Sequence, residues 1–549
     1  MPPPATYDAP PPILSTSNTH PPHVLIVGGG IGGLTLSILF ERAKIPYTIL
    51  ERSAHVRLLG SAIALGPGVL PLFEQLGLLE EIQKHSRPVA RGVVWSEKLI
   101  PIMDLDHTST RKRYGHLTRV IARPKLYQIL LSRVPAGKMH MNKKVVSLQQ
   151  DCPKLAPAQQ QQQCPVMVSC ADGSQYWGDI LVGADGAHSI TRRLIYQQIE
   201  DDYAVASTSA GISDTSENIH TMPLPLMSTS ATSGAPIIVE PLPASDKEKL
   251  QFTSTCLVGQ TRSGLDISKF RFVNGPECKV GSIIGDHKPF SWSVFSMPDD
   301  SICWMVTEHL GEALSSTPAL TAESSSHCVT PIPPPSPPLS LVSSSSSSGS
   351  FLDSEWGPDK VDIMCGQVKQ FPIPCGPSLT IGDLINHTDK EKISKVMLEE
   401  KLFETWSYKR IVLLGDACHK MHPSAGLGAV AAIQDAAVLS DLLYHLPTNA
   451  SLRDITKVFE SYREDRYPIA QQSYETSYQM SNLTEQSWIS NFIRKVMNNL
   501  PKWIWYRVLD RLYEYRPQVS FLPRVEDHGE VPPLPLSYYY PGQNIIRKI

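Results

Sequence analysis

The 549-residue chain has no uninterrupted apolar run of the roughly 20 residues that a bilayer-spanning helix needs. Nor does it carry an excess of either charge. Its 50 Lys and Arg stand against 53 Asp and Glu, a formal charge of −3, without the basic bias of a nucleic-acid binder. Ten cysteines are scattered with no C-x-x-C pair, and reduced thiols in a cytoplasmic protein are the expected state. His419 and His422 have i, i+3 spacing but no further ligands around them, so no metal is expected. Residues Met1–Pro22 lack the basic start and apolar stretch of a signal peptide and read as a disordered tail. No internal repeat is present.

What is present begins at "HVLIVGGGIGGLTLSILFER", His23–Arg42. A short apolar strand runs into Gly28, Gly30 and Gly33, spaced G-x-G-x-x-G, and then into a helical pattern. The first glycine permits a tight turn, the second lets backbone approach a pyrophosphate, and the third allows close helix–strand packing. The helix start adds unpaired N–H groups and a positive dipole end. Glu51 ends the next strand, "PYTILE", where an acidic side chain bonds ribose hydroxyls and disfavours a 2′-phosphate. The adenosine expected is therefore that of FAD or NAD. The ordinary alternative is a glycine-rich turn followed by an incidental glutamate.

Two further strand-to-loop junctions follow. "DILVGADGAHSITRR" places Asp185 and Gly186 after a strand, with Ser189 and Arg192 beyond. "RIVLLGDACHKMHPSAGLGAVAAIQDA" places Gly415 and Asp416 after another, then Pro423, Gly426, Gly428 and an alanine-rich helix. Together with the glycine turn, these motifs resemble the FAD-dependent aromatic-hydroxylase class, the p-hydroxybenzoate hydroxylase fold. Within it, the last stretch and "VIARPKLYQIL" are most similar to the fungal paxilline-type monooxygenases. Leu427 stands where that group usually has Gln, and Gln434 where it usually has Glu.

The resemblance implies an α/β fold: a Rossmann-like FAD-binding domain (GR2/PHBH type), an inserted mixed-sheet substrate domain and a helical C-terminal region. It divides the chain into a FAD-binding domain (23–87, 118–194 and 407–446), a substrate domain (88–117 and 195–406) and a C-terminal region (447–549). It implies that Glu51 holds the FAD ribose, that Ala64 offers backbone near the flavin, and that Arg123 contacts the ribityl–phosphate region. Asp416 would bond the ribityl chain or its phosphate, Ala429 would offer backbone N–H to the flavin pyrimidine edge, and Asp185 with Arg192 would serve FAD and NADPH together. Bland readings stand beside these: Asp416 as a cap before a helix, Arg123 as a surface ion pair, Asp185 as a turn residue, Cys418 as packing.

The activity implied is oxygen transfer from O₂ through a flavin C4a-hydroperoxide, with NADPH or NADH as transient reductant, hydroxylating or epoxidising a hydrophobic small molecule. The segment Cys256–Val306, dense in Trp, Phe and Val, is a candidate pocket lining. No general acid or base emerges. Alternatives are a FAD-dependent halogenase or reductase of the same fold, or a non-catalytic flavoprotein that binds a partner. Segments Gln159–Gln163, Asp201–Ser245 and Ser315–Ser350 are too polar and too rich in Ser, Pro or Gln to bury a core, and read as unstructured insertions. "SWSVFSMPDDSICWMV" reads as a hairpin turning at Pro298–Asp300. After Leu446 the chain reads as helical. Trp488, Ile489, Phe492 and Val496 fall on one helical face, with Trp503, Trp505, Lys502, Arg507 and Arg511 beyond. Packing across the FAD domain is the expectation, and peripheral membrane contact the alternative.

Overall fold

The computed structural model describes residues 21–55, 62–150, 165–209, 226–229, 236–286, 289–310, 358–376, 378–483, 494 and 501–536. The expectations for Gln159–Gln163, Ser315–Ser350, nearly all of the N-terminal tail, and Trp488, Ile489, Phe492 and Val496 lie outside them.

A six-stranded sheet carries the sequence motifs. Its order is β19 (Ser407–Tyr408), β20 (Ile411–Leu413), β11 (Ile180–Gly183), β1 (Val24–Val27), β2 (Tyr47–Leu50), β7 (Met139–His140). All neighbours but β19 and β20 run parallel. Strand β1 is central: Val24 is in register with Tyr47 on one side and Ile180 on the other. All four residues of "VLIV" are buried, as a strand covered on both faces demands. Helix α1 (Ile31–Ala43) connects β1 to β2 and lies against the sheet with its first ten residues buried. The C-terminal ends of β1, β2, β11 and β20 lead directly to Gly28, Glu51, Ala184–Asp185 and Leu414–Asp416. Motifs hundreds of residues apart thus share one edge, where parallel α/β sheets bind ligands.

The larger sheet has the order β21 (His419–Lys420), β18 (Ser394–Leu402), β14 (Gln251–Gln260), β17 (Ile302–His309), β16 (Phe290–Ser296), β15 (Cys278–Ile284), β4 (Ser86–Ser96), β6 (Arg119–Ala122), β3 (Ala62–Leu65), with β5 (Pro101–Asp106) beside β4. It is mixed, since β15 runs parallel to β4 while the others pair antiparallel. Strands β3, β6 and β21 come from stretches allotted to the FAD-binding segments, so the two halves share this sheet rather than meeting at a linker. The hairpin β16–β17 turns through Pro298–Asp300, with Asp300 at φ 56°. One face of the sheet packs Leu257, Ile283, Trp292, Val294, Trp304 and Val306 under helices α6 (Pro358–Val368) and α7 (Ile381–Asn386). A small antiparallel sheet joins β8 (Val145–Gln150), β9 (Val166–Cys170) and β10 (Gln175–Gly178).

One expectation is corrected. Residues 201–209 are not unstructured: helix α5 runs Ile190–Ser209. Ile195, Ile199 and Ala206 are buried, and Asp202 accepts from the Tyr408 hydroxyl (2.5 Å) and Lys409 (2.7 Å). Further along the same stretch, β12 (Leu226–Thr229) pairs with β13 (Pro236–Val239). The expected helical C-terminal region is present. After α9 (Leu452–Leu483) and α10 (Lys502–Tyr513), residues 514–536 form an irregular strap. Gln75, which closes α2 (Leu70–Gln75), binds the Val519 backbone at both ends: its Nε2 donates to Val519 O (2.8 Å) and its Oε1 accepts from Val519 N (3.0 Å). Arg516 reaches Asp527 and Val531 O.

Candidate active site

The glycine turn is specified by close backbone approach. Gly28 adopts φ +106°, and a Cβ there would stand 2.4 Å from Ala184 O. A Cβ on Gly33 would stand 2.2 Å from Gly28 O. Gly30 differs: its backbone is extended, and a Cβ would meet nothing within 4 Å. Open space therefore lies at the start of α1, whose amides have no side-chain cap. Glu51 braces the turn. Its Oε2 accepts the Gly29 N–H (2.8 Å) and its Oε1 the Ser53 N–H (2.9 Å). Arg123 opens α4 (Arg123–Leu131) on the same side. Tyr127, one turn on, feels both charges. Burial and Glu51 push its hydroxyl up to about 12 against the opposing pull of Arg123.

A second group forms after β20. Asp416 pairs with Lys420 at 2.8 Å. A short 3-10 turn, Pro423–Ala425, ends at Gly426 with φ +66°, where a Cβ would stand 3.5 Å from Ala64 Cβ. Helix α8 (Gly428–Tyr444) then begins with Leu427 as N-cap, no side-chain cap and no acid in its first turn. A Cβ on Gly428 would be 3.9 Å from Asp416 Oδ1. Helices α1 and α8 join the two groups. A Cβ on Gly32 would stand 2.7 Å from Leu414 Cδ1 and 3.4 Å from Ala432 Cβ, so the helices meet near their starts. Gly28, Gly30, Gly33 and Glu51 are thus brought beside Ala64, Asp416, Pro423, Gly426, Gly428 and Ala429.

Asp185 and Arg192 stand differently. The Asp185 carboxylate accepts from Ser189 Oγ (2.5 Å), Thr191 N (3.0 Å) and Thr191 Oγ1 (3.1 Å), anchoring the start of α5. Its backbone abuts the glycine turn, with its Cα 2.9 Å from a Cβ built on Gly28. Arg192 is buried under the Phe403 ring (3.9 Å), donating to Ala187 O (2.6 Å) and Ala417 O (2.7 Å). It ties the loop after β11 to the loop after β20. Burial lowers the pKa of this guanidinium.

Sequence reasoning missed the charge at the centre of the site's support. Asp435 on α8 is fully buried. Its Oδ2 accepts from Gly415 N (2.8 Å) and contacts His419 Nε2 (2.6 Å), while Oδ1 accepts from Arg466 Nε (2.8 Å). Burial alone would push this carboxyl up, but His419 and Arg466 outweigh it and hold it at about 2. Cys418, His419 and Asp435 bring ligand atoms within 4.8 Å of one another. The adjacent guanidinium and a thiol whose pKa burial raises well above normal make this an ion-pair network rather than a cation site. Gln434 donates to Gly68 O (3.3 Å) and Tyr515 O (3.1 Å). Two carbonyl partners call for an amide there, where an ionised glutamate would offer only acceptors.

The sheet face opposite α6 and α7 is less deeply buried. Trp292, Val294, Trp304 and Val306 on the packed face are at most 1 % exposed. Their neighbours Ser293, Phe295, Met305 and Thr307, pointing the other way in the same central strands, are only half-buried, as are Val280 and Ser282. Val280 and Phe295 pack against Cys278, Met297 and Cys303, and Met305 against Cys256, Val258 and Leu398. Named with Ser254, Cys256, Val258, Ser291, Cys303 and His309, they include no Lys, Arg, Asp or Glu. His309 and His422 are both held at about 4, chiefly by burial. Glu400 lies farther out on β18, buried, with its pKa raised by desolvation.

Comparison with known proteins places this geometry. The profile of the FAD binding domain matches residues 22–260 and 379–477. The FAD-dependent monooxygenase ausM of Emericella nidulans is 26% identical over 522 residues, spanning 92% of this chain and 88% of that protein. The FAD-dependent monooxygenase paxM of Penicillium paxilli is 25% identical, spanning 83% of this chain and 77% of that one. Among solved structures, Klebsiella pneumoniae HpxO complexed with FAD and uric acid superposes with a TM-score of 0.60 at 15% identity, covering 90% of this chain and 96% of that one. That last likeness is one of fold.

Proposed function

This chain belongs to the FAD binding domain family and is an FAD-dependent monooxygenase, and we propose that it uses NAD(P)H and O₂ to hydroxylate or epoxidise a hydrophobic, uncharged organic molecule. The observation that carries the reading is that two uncapped helix starts, α1 and α8, pack against each other, with open space at Gly30 next to the Gly29 amide that Glu51 holds.

The residues fit the cofactor. Glu51 would take the ribose hydroxyls, since each of its oxygens keeps acceptor capacity after one backbone bond. The space at Gly30 suits the pyrophosphate. Arg123 and Asp416 would flank the phosphate–ribityl chain, and Ala64, Pro423, Gly426, Gly428 and Ala429 would line the ring. When bound, FAD supplies hydride acceptance and the transfer of one oxygen atom from O₂. The chain's own part is electrostatic and spatial. The bare amides at the start of α8 favour negative charge near Ala429. Leu427, buried among core side chains, keeps water from the turn. The uncharged Ser, Cys, Val, Phe and Met side chains named on β14–β17 suit a neutral apolar molecule.

Purified protein is expected to carry yellow bound FAD, bleached by NADPH and recoloured in air with oxygen incorporated into an added hydrophobic substrate. A chain that refuses FAD sinks this proposal. One that binds FAD but is never reduced, across a broad substrate screen, is a flavin-binding interaction protein instead. No helix among the described residues is long and apolar enough to cross a membrane. Trp503 on α10 is 65 % exposed while Leu509 is buried, which supports peripheral membrane contact as a second reading. Cosedimentation with anionic vesicles, lost in Trp503→Ala, tests it.

A further inference from the structure

We propose that His422 is a positioning residue, a neutral clip that fixes the Pro423–Gly426 turn to the substrate-side sheet and to helix α9. The inference rests on the reading above that this turn borders the flavin, and on hydrogen-bond geometry that stands without it.

The imidazole's tautomer follows from its partners. His422 is the N-cap of the turn, and its Nδ1 accepts the Ser424 N–H at 3.2 Å. A backbone N–H can only donate, so Nδ1 is the bare nitrogen and Nε2 carries the hydrogen. Nε2 lies 3.2 Å from Ser254 Oγ on β14 and 3.4 Å from Ser481 Oγ on α9. Ser424 adds a second tie, its hydroxyl donating to Ser477 O of α9 at 2.5 Å. The ring is 4 % exposed, and burial keeps it neutral. A locked Nδ1 also excludes proton relay through the ring, since relay requires both nitrogens to exchange hydrogen. One buried side chain therefore links three elements, and the turn it caps continues within two residues of Gly426 into the start of α8.

The clip connects to the central strands of the substrate-side sheet. Ser254 is directly opposite His309 in the β14–β17 ladder, and His309 Nε2 contacts Ser291 Oγ on β16 at 3.0 Å. His422, Ser254, His309 and Ser291 thus form a row crossing from the turn into the wall that the substrate would press. A shift of that wall reaches the turn through Ser254 and His422, which makes the pair a means of coupling substrate occupancy to ring position.

Side-chain mimicry separates the two nitrogens. Asparagine presents an acceptor near Nδ1 and keeps the cap, but does not reach Ser254. Glutamine reaches toward Nε2. The test uses full-length wild type, His422→Asn, His422→Gln and Ser254→Ala, each with and without FAD. The readouts are amide hydrogen exchange of the peptide covering 423–429 and the visible flavin band. Loss of one hydrogen bond is expected to speed exchange there about tenfold in His422→Asn and Ser254→Ala alike, with partial rescue in His422→Gln. With FAD bound, the two fast-exchanging variants are expected to share the same displaced flavin band, and to release more peroxide per NADPH oxidised. The proposal is overturned if Ser254→Ala leaves exchange at the turn as in wild type, whether or not His422→Asn changes it. Should His422→Asn fail to fold, Ser254→Ala still decides. Wild type that takes up no FAD refutes the cofactor reading, while exchange in the FAD-free protein still tests the clip.

Discussion

Two glycines of one motif, replaced by the same residue, are expected to fail in different ways. In Gly33→Ala the new Cβ meets Gly28 O at 2.2 Å, a backbone atom held in place by the Gly28 N–H bond to Leu50 O at 2.8 Å. Neither side can yield cheaply, and overpacking of this kind costs about 1–3 kcal/mol. In Gly30→Ala the Cβ meets nothing within 4 Å, and φ −76°, ψ −175° suits alanine. The FAD-free variant is expected to be unchanged or about 0.4–1 kcal/mol more stable, because alanine restricts the unfolded chain. The same methyl would occupy the space assigned to the pyrophosphate. A similar overpacking of about 1–3 kcal/mol, confined to the complex, weakens FAD about 5- to 150-fold. Thermal melting of FAD-free protein and a fluorescence-quench titration with FAD measure the two effects separately. At a FAD concentration of about 100 Kd the wild type gains about 2.7 kcal/mol, whereas a variant bound 100-fold more weakly gains only about 0.4. Gly30→Ala should therefore melt like wild type without FAD and several degrees below it with FAD. Binding as tight as wild type by Gly30→Ala, or wild-type melting of Gly33→Ala, would refute the argument that close approach and open space divide the motif.

The remaining predictions concern the support of the site. Asp435→Asn leaves the Arg466 guanidinium buried without its counter-charge and is expected to cost about 3–5 kcal/mol. A Tm lowered by less than about 3 °C would contradict that. Because the folded Asp435 carboxyl is held at about 2 against an ordinary 3.8, its contribution is full above pH 3.8 and is lost as pH falls toward 2, so acid unfolding of the variant should be the less steep there. His422 is held at about 4 against an ordinary 6.5, so stability is full above pH 6.5 and declines by about 3 kcal/mol as pH falls toward 4; His422→Asn should flatten that stretch of a Tm-against-pH profile. Gln75→Ala removes both bonds to Val519 and is expected to cost about 1–3 kcal/mol, read as faster protease cleavage within 516–536.

Local signals were legible from sequence for a physical reason. The strand–glycine–helix unit, Glu51 at the end of β2, the turn at Pro298–Asp300 and the alanine-rich helix α8 are each written in fewer than about 30 consecutive residues, where periodicity and turn chemistry act. The unstructured reading of 201–209 failed because its stabilisation is remote. Tyr408 and Lys409, about 200 positions away, hold Asp202, and composition alone records only polar residues. Gln434 was visible as a departure from the resembled pattern, but its reason was not. The Tyr515 carbonyl that it serves belongs to the irregular strap, which carries no periodicity to read.

Asp435 shows why the support of a site is harder to read than the site. A residue that meets a ligand needs a particular chemistry at a particular backbone position, so it falls inside a motif. A residue that holds the motif needs only to arrive in space. Asp435 lies on the buried side of α8, 20 residues after the Gly415 amide it accepts and 31 before Arg466. In sequence it is a polar interruption of an alanine-rich helix, the same signal a solvent-facing aspartate would give. The difference lies in α9, which brings Arg466 beneath α8 and makes burial of the charge tolerable. Removing Arg466 should therefore disturb Gly415 through the shared carboxylate. A double-mutant cycle of Asp435→Asn with Arg466→Met is expected to show coupling of about 1–3 kcal/mol, measured as Tm and as FAD affinity. Additive losses would mean that the two residues support the fold independently.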